Sequence, residues 1–449
     1  MLINRTPDAY EKLSLLGSMA GDDVLSNPLD ARPSTRMPYS SVKKNPIPGV
    51  YRAAMPNGKF INLMRVMFTD FCMMDCHYCP NSHWVPRKRF AFKTEELVSV
   101  FANLHQRHTV DGLFLSSGIA GSGSKTTERL IKVVDAIRNN YGFKGYIHMK
   151  VMPGADYHLV EAAQRLGTRL SINLETPTVD MMKRLSKMKD LHRDILTPMS
   201  WIHKLTQQRY GATVGQATQL VVGAADESDR DIFNRIDQLY GQWNLKRVYY
   251  SAFRPVKYTP LEEHPATPMI REHRLYQADW LKRVYKFSNQ EIGYAFDKTG
   301  FLPLDQDPKT AIALENVDAF PLDINAATHD QLLRVPGIGP TSAQRIEENR
   351  RRHSIDTWRD LEAMGVVRKR AWPFVTFSGH RPLKAKQLKM AMVKEEPASY
   401  STDSNSSRSS QAPAPCGQPR SCLGCPMFGA PGHPGHPTYD SPAPSAVAI

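Results

Sequence analysis

The sequence has no apolar run close to the ~20 residues that a membrane-spanning helix needs, and its first residues lack the apolar core of a secretory signal peptide. Cysteine is scarce, with 6 residues in a chain of 449. These cysteines fall into two groups, a distribution that favours metal ligation over a disulfide framework. We therefore expect no membrane association and a soluble, cytoplasmic protein.

Acidic residues are fewer than basic ones: 44 Asp and Glu stand against 58 Lys and Arg, which gives a net charge of +14. A balance this basic indicates an anionic partner, most commonly nucleic acid, although a diffusely basic surface gives the same charge. The length allows two or three domains.

Three cysteines form the most informative pattern in the chain. Cys72, Cys76 and Cys79 are separated by three and two residues, and they follow an apolar run, residues 60–68, that predicts a strand. Three thiolates on a short loop can hold three irons of a four-iron, four-sulfur (4Fe-4S) cluster and leave one iron open to a substrate or cofactor. The alternative is a zinc site completed by His77 or His83.

This spacing, with Tyr78 directly before the last cysteine, resembles the radical S-adenosylmethionine (SAM) superfamily. The resemblance implies a 4Fe-4S cluster and S-adenosyl-L-methionine as cofactors, with SAM chelating the open iron. It also implies reductive cleavage of SAM to a 5′-deoxyadenosyl radical, which abstracts hydrogen from a substrate. A flavodoxin- or ferredoxin-like electron donor would supply the electron.

Residues 60–255 alternate short apolar runs with helical patterns, which predicts parallel βα units in an α/β, partial (β/α)6 barrel. We expect strands at 60–68, 112–116, 146–151, 169–174, 217–223 and 246–252. Helices are expected at 94–107, 126–139, 156–166, 178–187 and 228–240. The segment 188–216 is expected to be an insertion.

Ligands of parallel βα folds bind at the carboxyl ends of the strands. The resemblance implies SAM contacts there, with Lys150 at the carboxylate and Glu175 at the ribose hydroxyls. The acid of the family's Gly-Gly-Glu segment is missing from this chain. Each polar residue has an equally simple interpretation as a solvated rim residue, and no residue stands out as catalytic. The expected cofactor-binding residues are Tyr78, Ser116, Ser117, Gly118, Lys150, Asn173, Glu175 and Gly223.

A second motif occupies residues 322–352. Thr328 is placed to cap a short helix that Pro336 ends, a Gly-Ile-Gly turn follows, and Pro340 opens the next helix. An exposed helix N-terminus binds phosphate through its N–H groups and dipole. The motif resembles a helix-hairpin-helix module, which holds the DNA backbone without reading sequence. The alternative is a hairpin that only packs against protein. The implied DNA-binding residues are Gly337, Ile338, Gly339, Thr341 and Arg345.

Residues 366–389 carry seven basic and no acidic residues, interleaved with Trp372, Phe374 and Phe377. Basic and aromatic residues together are typical of nucleic-acid binding, although they also describe a basic surface over buried aromatics. The Ser/Pro/Gly-rich tail is too polar to form a core and is expected to be disordered. Its cysteines, which either bind a second metal or are idle thiols, are Cys416, Cys422 and Cys425.

The expected organisation has five parts. They are an N-terminal arm (1–59), the partial barrel (60–255), a connector that packs on the barrel (256–320), the helix-hairpin-helix module with its basic extension (321–390) and the tail (391–449). The combination resembles radical SAM proteins of DNA modification or repair, so duplex DNA is the expected substrate. The alternatives are a radical SAM enzyme of RNA and a non-catalytic DNA-binding protein with a structural cluster.

Overall fold

The computed structural model describes residues 7–20, 47–54, 60–208 and 215–377. The tail with Cys416, Cys422 and Cys425 lies outside these residues, and so do the last residues of the basic segment. Among the described helices, none combines the length and the apolar composition needed to cross a membrane.

A curled seven-stranded sheet forms the centre of the fold. Its strands lie in chain order from one edge to the other; β1 pairs antiparallel with β2, and β2 to β7 are all parallel. The strands are β1 (Val50–Ala54), β2 (Phe60–Met67), β3 (Gly112–Ser116), β4 (Tyr146–Lys150), β5 (Arg169–Ser171), β6 (Gly215–Val222) and β7 (Arg247–Ala252).

The six predicted parallel strands and the partial barrel are confirmed, but β1 was not predicted. The sequence predicted a helix over residues 8–19, and the prolines from Pro28 to Pro56 predicted that no regular element follows it in the N-terminal arm. Pro48 and Pro56 flank β1 instead of interrupting it, and an edge strand tolerates prolines at its ends. The boundary predicted at residue 60 therefore separates β1 from the sheet to which it belongs.

Helices cover one face of this sheet. The first eight are α1 (Ala9–Met19), α2 (Thr94–Gln106), α3 (Gly123–Asp135), α4 (Tyr157–Leu166), α5 (Val179–Leu185), α6 (Thr197–Gln207), α7 (Asp229–Trp243) and α8 (Met269–Arg283). The segment predicted as an insertion, 188–216, contains α6 and a preceding π-helical turn, Leu191–Leu196. Because α6 packs on α4, this segment completes the crossover from β5 to β6.

Alternate residues of each strand face opposite sides of the sheet. On one side, aliphatic residues such as Leu113, Leu115, Ile147 and Met149 form the core beneath the helices. The other side is the concave interior of the partial barrel. The carboxyl ends of β2 to β7 meet at one rim of this interior, which we call the barrel mouth.

The segment after β7 packs onto the barrel. Tyr276 of α8 contacts the outer edge of β7, where its hydroxyl accepts from the Tyr250 N–H at 3.0 Å and donates to the Tyr250 carbonyl at 3.2 Å. The remaining elements are α9 (Asn289–Gly293), α10 (Pro308–Glu315), β8 (Leu322–Asp323), α11 (His329–Arg334), α12 (Pro340–Arg350), α13 (Trp358–Ala363), α14 (Arg368–Ala371) and β9 (Val375–Thr376). β8 and β9 pair in parallel, which links the two ends of the C-terminal region.

Candidate functional site

The three predicted cluster cysteines lie on one loop between β2 and α2, at the barrel mouth. Cys76 is buried, and Cys72 and Cys79 are half-buried. Burial raises the pKa of the Cys76 thiol to about 11, and burial together with the neighbouring thiols raises the pKa of Cys79 further above its ordinary value. The three thiols are therefore close enough to influence one another's pKa. A soft metal centre that binds them as thiolates must displace their protons.

Two backbone N–H groups point at the sulfur atoms. The Ile119 N–H lies 3.4 Å from Cys72 Sγ, and the Asn81 N–H lies 3.4 Å from Cys79 Sγ. Hydrogen bonds to cysteine sulfur tune the potential of an iron–sulfur cluster. In the described residues, no three His, Cys, Asp or Glu side chains converge on one metal-ion position. A 4Fe-4S cluster does not need such convergence, because each thiolate binds a different iron, so this donor set fits a cluster.

A lysine that the sequence interpretation missed lies beside the cysteines. Lys189 Nζ lies 3.1 Å from Glu175 Oε1 and 3.4 Å from the hydroxyl of Tyr78, with both charged side chains buried. Burial lowers the pKa of Lys189, but the Cys76 thiolate and the Glu175 carboxylate outweigh burial and raise it. This buried ammonium can offset part of the negative charge of a thiolate-bound cluster.

Asp75, within the cysteine loop, fixes the segment that carries Lys189. Its carboxylate accepts hydrogen bonds from the Ser186 hydroxyl and, at 2.8 Å, from the Lys187 N–H. The His77 N–H donates to the Leu185 carbonyl at 2.9 Å. No pattern in the sequence indicates a role for Lys189, because its surroundings, Lys-Met-Lys-Asp, are typical of a solvated loop.

Glu175 is held in an uncommon backbone conformation, with φ of +67°. Its N–H donates to the Gln219 carbonyl at 3.0 Å, and its carbonyl accepts from the Val221 N–H at 2.9 Å. A non-glycine residue keeps a left-handed conformation when its surroundings impose it, often at a functional site. Its second carboxylate oxygen, Oε2, is buried and has no hydrogen-bond partner in the described part of the chain, so the side chain retains acceptor capacity.

The loop after β3, which holds Ser116, Ser117 and Gly118, packs directly on the cysteine loop. The Gly118 N–H donates to the Thr69 carbonyl at 2.7 Å, and a Cβ on Gly118 would lie 2.4 Å from the Phe71 carbonyl oxygen. Ser116 is buried, and the Ser117 hydroxyl donates to the Gly118 carbonyl at 2.7 Å. Small residues are required here because two backbones approach closely.

The remaining residues predicted to contact SAM differ in whether their polar groups already form hydrogen bonds within the protein. Lys150 is the last residue of β4 and is buried, and the Oδ1 of Asn173 is buried without a partner. The backbone of Gly223 is already engaged: its N–H donates to Glu227, and its carbonyl lies 2.9 Å from Nε2 of His264. Gly223 therefore has less capacity for a ligand than Asn173 or Glu175.

The predicted hairpin turn lies between α11 and α12 and is buried. Gly337, Ile338 and Gly339 are all buried, and Gly337 has φ of +85°. The Gly337 carbonyl accepts from the Val367 N–H at 3.0 Å, and the Ile338 carbonyl accepts from Lys309 Nζ at 2.5 Å. The carbonyl side of the turn thus packs on α14 and on the connector.

The start of α12 is different, because Thr341 and Arg345 are exposed. The N-cap residue Gly339 supplies no side-chain hydrogen bond to the helix. In the basic extension, Phe374 is fully buried against Phe320, whereas Trp372 is exposed. Nucleic-acid contacts by this region stay a prediction, and Phe374 belongs to the core.

The barrel is similar to solved structures at low sequence identity. The HydG maturase of FeFe-hydrogenase from Carboxydothermus hydrogenoformans is 13% identical, with a TM-score of 0.38 over 46% of this chain and 48% of that one. SuiB of Streptococcus suis is 12% identical, with a TM-score of 0.39 over 49% and 46%. Methylornithine synthase (PylB) is 17% identical, with a TM-score of 0.37 over 46% and 60%.

The chain spans about half the length of the solved structures it matches, and at these TM-scores they carry no argument about its function. No curated protein matches the sequence. The model of the radical SAM superfamily matches residues 66–232, which contain the cysteine loop, Glu175 and Lys189. Residues 66–232 therefore match the radical SAM superfamily, whose members use a 4Fe-4S cluster and SAM.

Proposed function

We propose that this protein is a radical SAM enzyme that modifies or repairs DNA through a 5′-deoxyadenosyl radical. The observation that carries the radical chemistry is the barrel mouth, where three coupled thiols face a buried Lys189–Glu175 pair with spare acceptor capacity. The bound cofactors supply the radical chemistry, and the protein supplies orientation and exclusion of water.

Each residue at the mouth has a distinct task in this proposal. Cys72, Cys76 and Cys79 hold the cluster, and Lys189 offsets its charge. The spare oxygen of Glu175 accepts from the ribose hydroxyls of SAM, and the Lys150 ammonium pairs with the SAM carboxylate. The Ser116–Gly118 backbone, which lies beside Cys72, faces the methionine part. A flavodoxin- or ferredoxin-like protein donates the electron.

DNA as the substrate is supported by two features of the chain. The net charge of +14 suits a polyanion, because released counterions favour binding. At the start of α12, Thr341 and Arg345 are exposed, and the helix has no side-chain N-cap. A helix N-terminus offers N–H donors and a favourable dipole to a phosphate, and a nearby guanidinium adds a charge-assisted hydrogen bond. Contacts of this kind hold phosphates without reading sequence.

A second candidate is a radical SAM enzyme whose hairpin only packs against protein and whose substrate is RNA or another molecule. The burial of the Gly337–Gly339 turn under α14 and Lys309 favours this candidate. The two candidates share the chemistry at the barrel mouth. They differ in the substrate that is expected to stimulate SAM cleavage.

The test is the formation of 5′-deoxyadenosine by the anaerobically reconstituted, dithionite-reduced protein with SAM. Duplex DNA, transfer RNA and buffer are compared at matched phosphate concentration and at two salt concentrations. Stimulation by duplex DNA above that by transfer RNA supports the proposal. Stimulation by transfer RNA alone supports the RNA enzyme, and equal rates in all three leave the substrate outside nucleic acids.

A further inference from the structure

The concave face of the sheet carries three arginines that have no hydrogen-bond acceptor among the residues that the structure describes. They are Arg65 on β2, Arg169 on β5 and Arg247 on β7. Within the described residues, Nε of all three, and also Nη1 of Arg65, are buried without a hydrogen-bond partner. A buried polar group without a partner is costly, and more so for a charged group, so such atoms commonly await a ligand or water.

The strand register places these arginines on one surface. Arg65 pairs with Phe114, Phe114 with His148, and His148 with Arg169, which gives a row across four neighbouring strands. The rings of Phe114 and His148 meet edge to face at 4.8 Å. The row is therefore continuous from β2 to β5.

Arg247 lies on the same face of the sheet, in the row that is two residues closer to the barrel mouth than the row of Arg169. Ser171, two residues after Arg169, pairs with Ala217, and Ala217 pairs with Arg247. His148 Nε2 lies 2.8 Å from the Ser171 hydroxyl, which connects the two rows. The guanidinium of Arg247 lies 5.5 Å from the ring of Tyr249. Tyr249 is two residues further along β7 and therefore lies on the same face of the sheet.

Acidic groups do not balance these cations. Among the described residues of β2 to β7, no inward-facing position holds Asp or Glu. Glu175, at the rim, is already paired with Lys189. Burial, assisted by Arg169 and Lys150, holds the pKa of His148 well below its ordinary value, so the imidazole is a neutral neighbour. Gln219, also buried and inward-facing, has an unpartnered Oε1.

We infer that this interior binds a phosphate group of the substrate through Arg65, Arg169 and Arg247. The inference rests on the proposed function and specifies it: the nucleotide that reaches the radical enters the barrel with its phosphate held by arginines. Guanidinium groups match the several oxygens of a phosphate with paired N–H donors. The half-buried ring of Tyr249 adds aromatic surface on which a sugar or base can pack.

The test compares 2-deoxyribose 5-phosphate with 2-deoxyribose, which differ only in the phosphate. Binding is measured by titration calorimetry on the full chain with its cluster and SAM in place and without reductant, so that no turnover occurs. The sugar phosphate is expected to bind at least about tenfold more tightly, the size of a charge-assisted hydrogen bond. Arg169→Gln and Arg247→Gln should each remove most of this difference.

The exposed arginine Arg107, which follows α2, serves as the control: Arg107→Gln should not change sugar-phosphate binding. Equal binding of sugar and sugar phosphate overturns the inference, and so does equal weakening in the interior and control variants. Inorganic phosphate that binds as tightly as the sugar phosphate, with the same dependence on Arg169, overturns a substrate site in favour of a free-phosphate site. If the interior variants do not fold, the wild-type comparison of the three probes decides alone.

The two proposals fail separately. Formation of 5′-deoxyadenosine stimulated by DNA, together with no preference for the sugar phosphate, overturns the phosphate site and retains the enzyme. Arginine-dependent binding of the sugar phosphate without any 5′-deoxyadenosine retains the phosphate site and overturns the radical reaction.

Discussion

The barrel mouth and the hairpin turn each contain a specific sequence motif, but the polar groups around the two motifs differ in their hydrogen bonding. At the mouth, Glu175 Oε2 and Asn173 Oδ1 are buried and have no hydrogen-bond partner among the described residues. At the turn, the carbonyls of Gly337 and Ile338 already accept hydrogen bonds from Val367 and Lys309. A ligand site keeps unsatisfied polar atoms, whereas a packed turn has satisfied them within the protein.

This difference separates the two halves of the proposed function. The chemistry at the mouth depends on buried groups whose removal should have large effects. The DNA contact depends on the exposed start of α12, where single substitutions have small effects.

Cys76→Ala should abolish 5′-deoxyadenosine formation, because a cluster with two remaining thiolate ligands is not retained. Iron content and SAM cleavage are measured together after anaerobic reconstitution. The matched variant His77→Gln should keep both, since the proposed cluster uses no histidine. Loss of iron in His77→Gln would contradict a cluster held by the three cysteines alone, and bound zinc that depends on His77 would support the zinc site.

Lys189→Met should destabilise the protein by about 3–5 kcal/mol, because it leaves the Glu175 carboxylate buried and unpaired. Denaturant unfolding measures the effect, and the exposed neighbour Lys187→Met is the control. The double variant Lys189→Met with Glu175→Gln should recover part of the loss. A Lys189→Met protein as stable as Lys187→Met would mean that the pair is not buried as described.

Gly118→Ala should push the loop after β3 away from the cysteine loop, because the new Cβ would meet the Phe71 carbonyl oxygen at 2.4 Å. We expect a loss of about 1–3 kcal/mol and lower iron content. Gly241→Ala is the control: its Cβ meets nothing within 4 Å, and alanine in a helix is favoured by up to about 1 kcal/mol. Equal stability of the two variants would contradict the close contact of the loops.

Arg345→Gln should weaken duplex-DNA binding by a few-fold and reduce the slope of log affinity against log salt by about 1, the effect of one lost phosphate contact. Binding is measured by fluorescence anisotropy across a salt series. Arg107→Gln, exposed at the end of α2, is the control. An unchanged slope in Arg345→Gln would favour a hairpin that only packs against protein.

The sequence predicted the parts of the fold that follow from local pattern. Six apolar runs separated by helical periodicity gave the parallel strands, and the spacing of Cys72, Cys76 and Cys79 gave the cluster loop. The strand β1 was not predicted, because the prolines on both sides of it are typical of a loop. The helix α6 was not predicted, because the segment directly before it has π-helical geometry, which no simple sequence periodicity indicates.

The missed parts of the site depend on contacts between distant segments. Asp75 accepts hydrogen bonds from the Ser186 hydroxyl and the Lys187 N–H, 111 and 112 residues away in sequence, and so holds the segment that carries Lys189 towards Glu175. The interior arginines belong to strands whose inward face becomes known only from register. The burial of Gly337 depends on Val367, which a motif match does not include.

The central claim is that SAM binds an open iron at the barrel mouth. The most direct test is a titration of the reduced, reconstituted protein with SAM, followed by the electron paramagnetic resonance spectrum of the cluster. The account predicts a saturable change of the spectrum in the wild-type protein, with weaker SAM affinity in Glu175→Gln. A well-formed cluster whose spectrum does not respond to SAM would contradict the account and leave a structural cluster in its place.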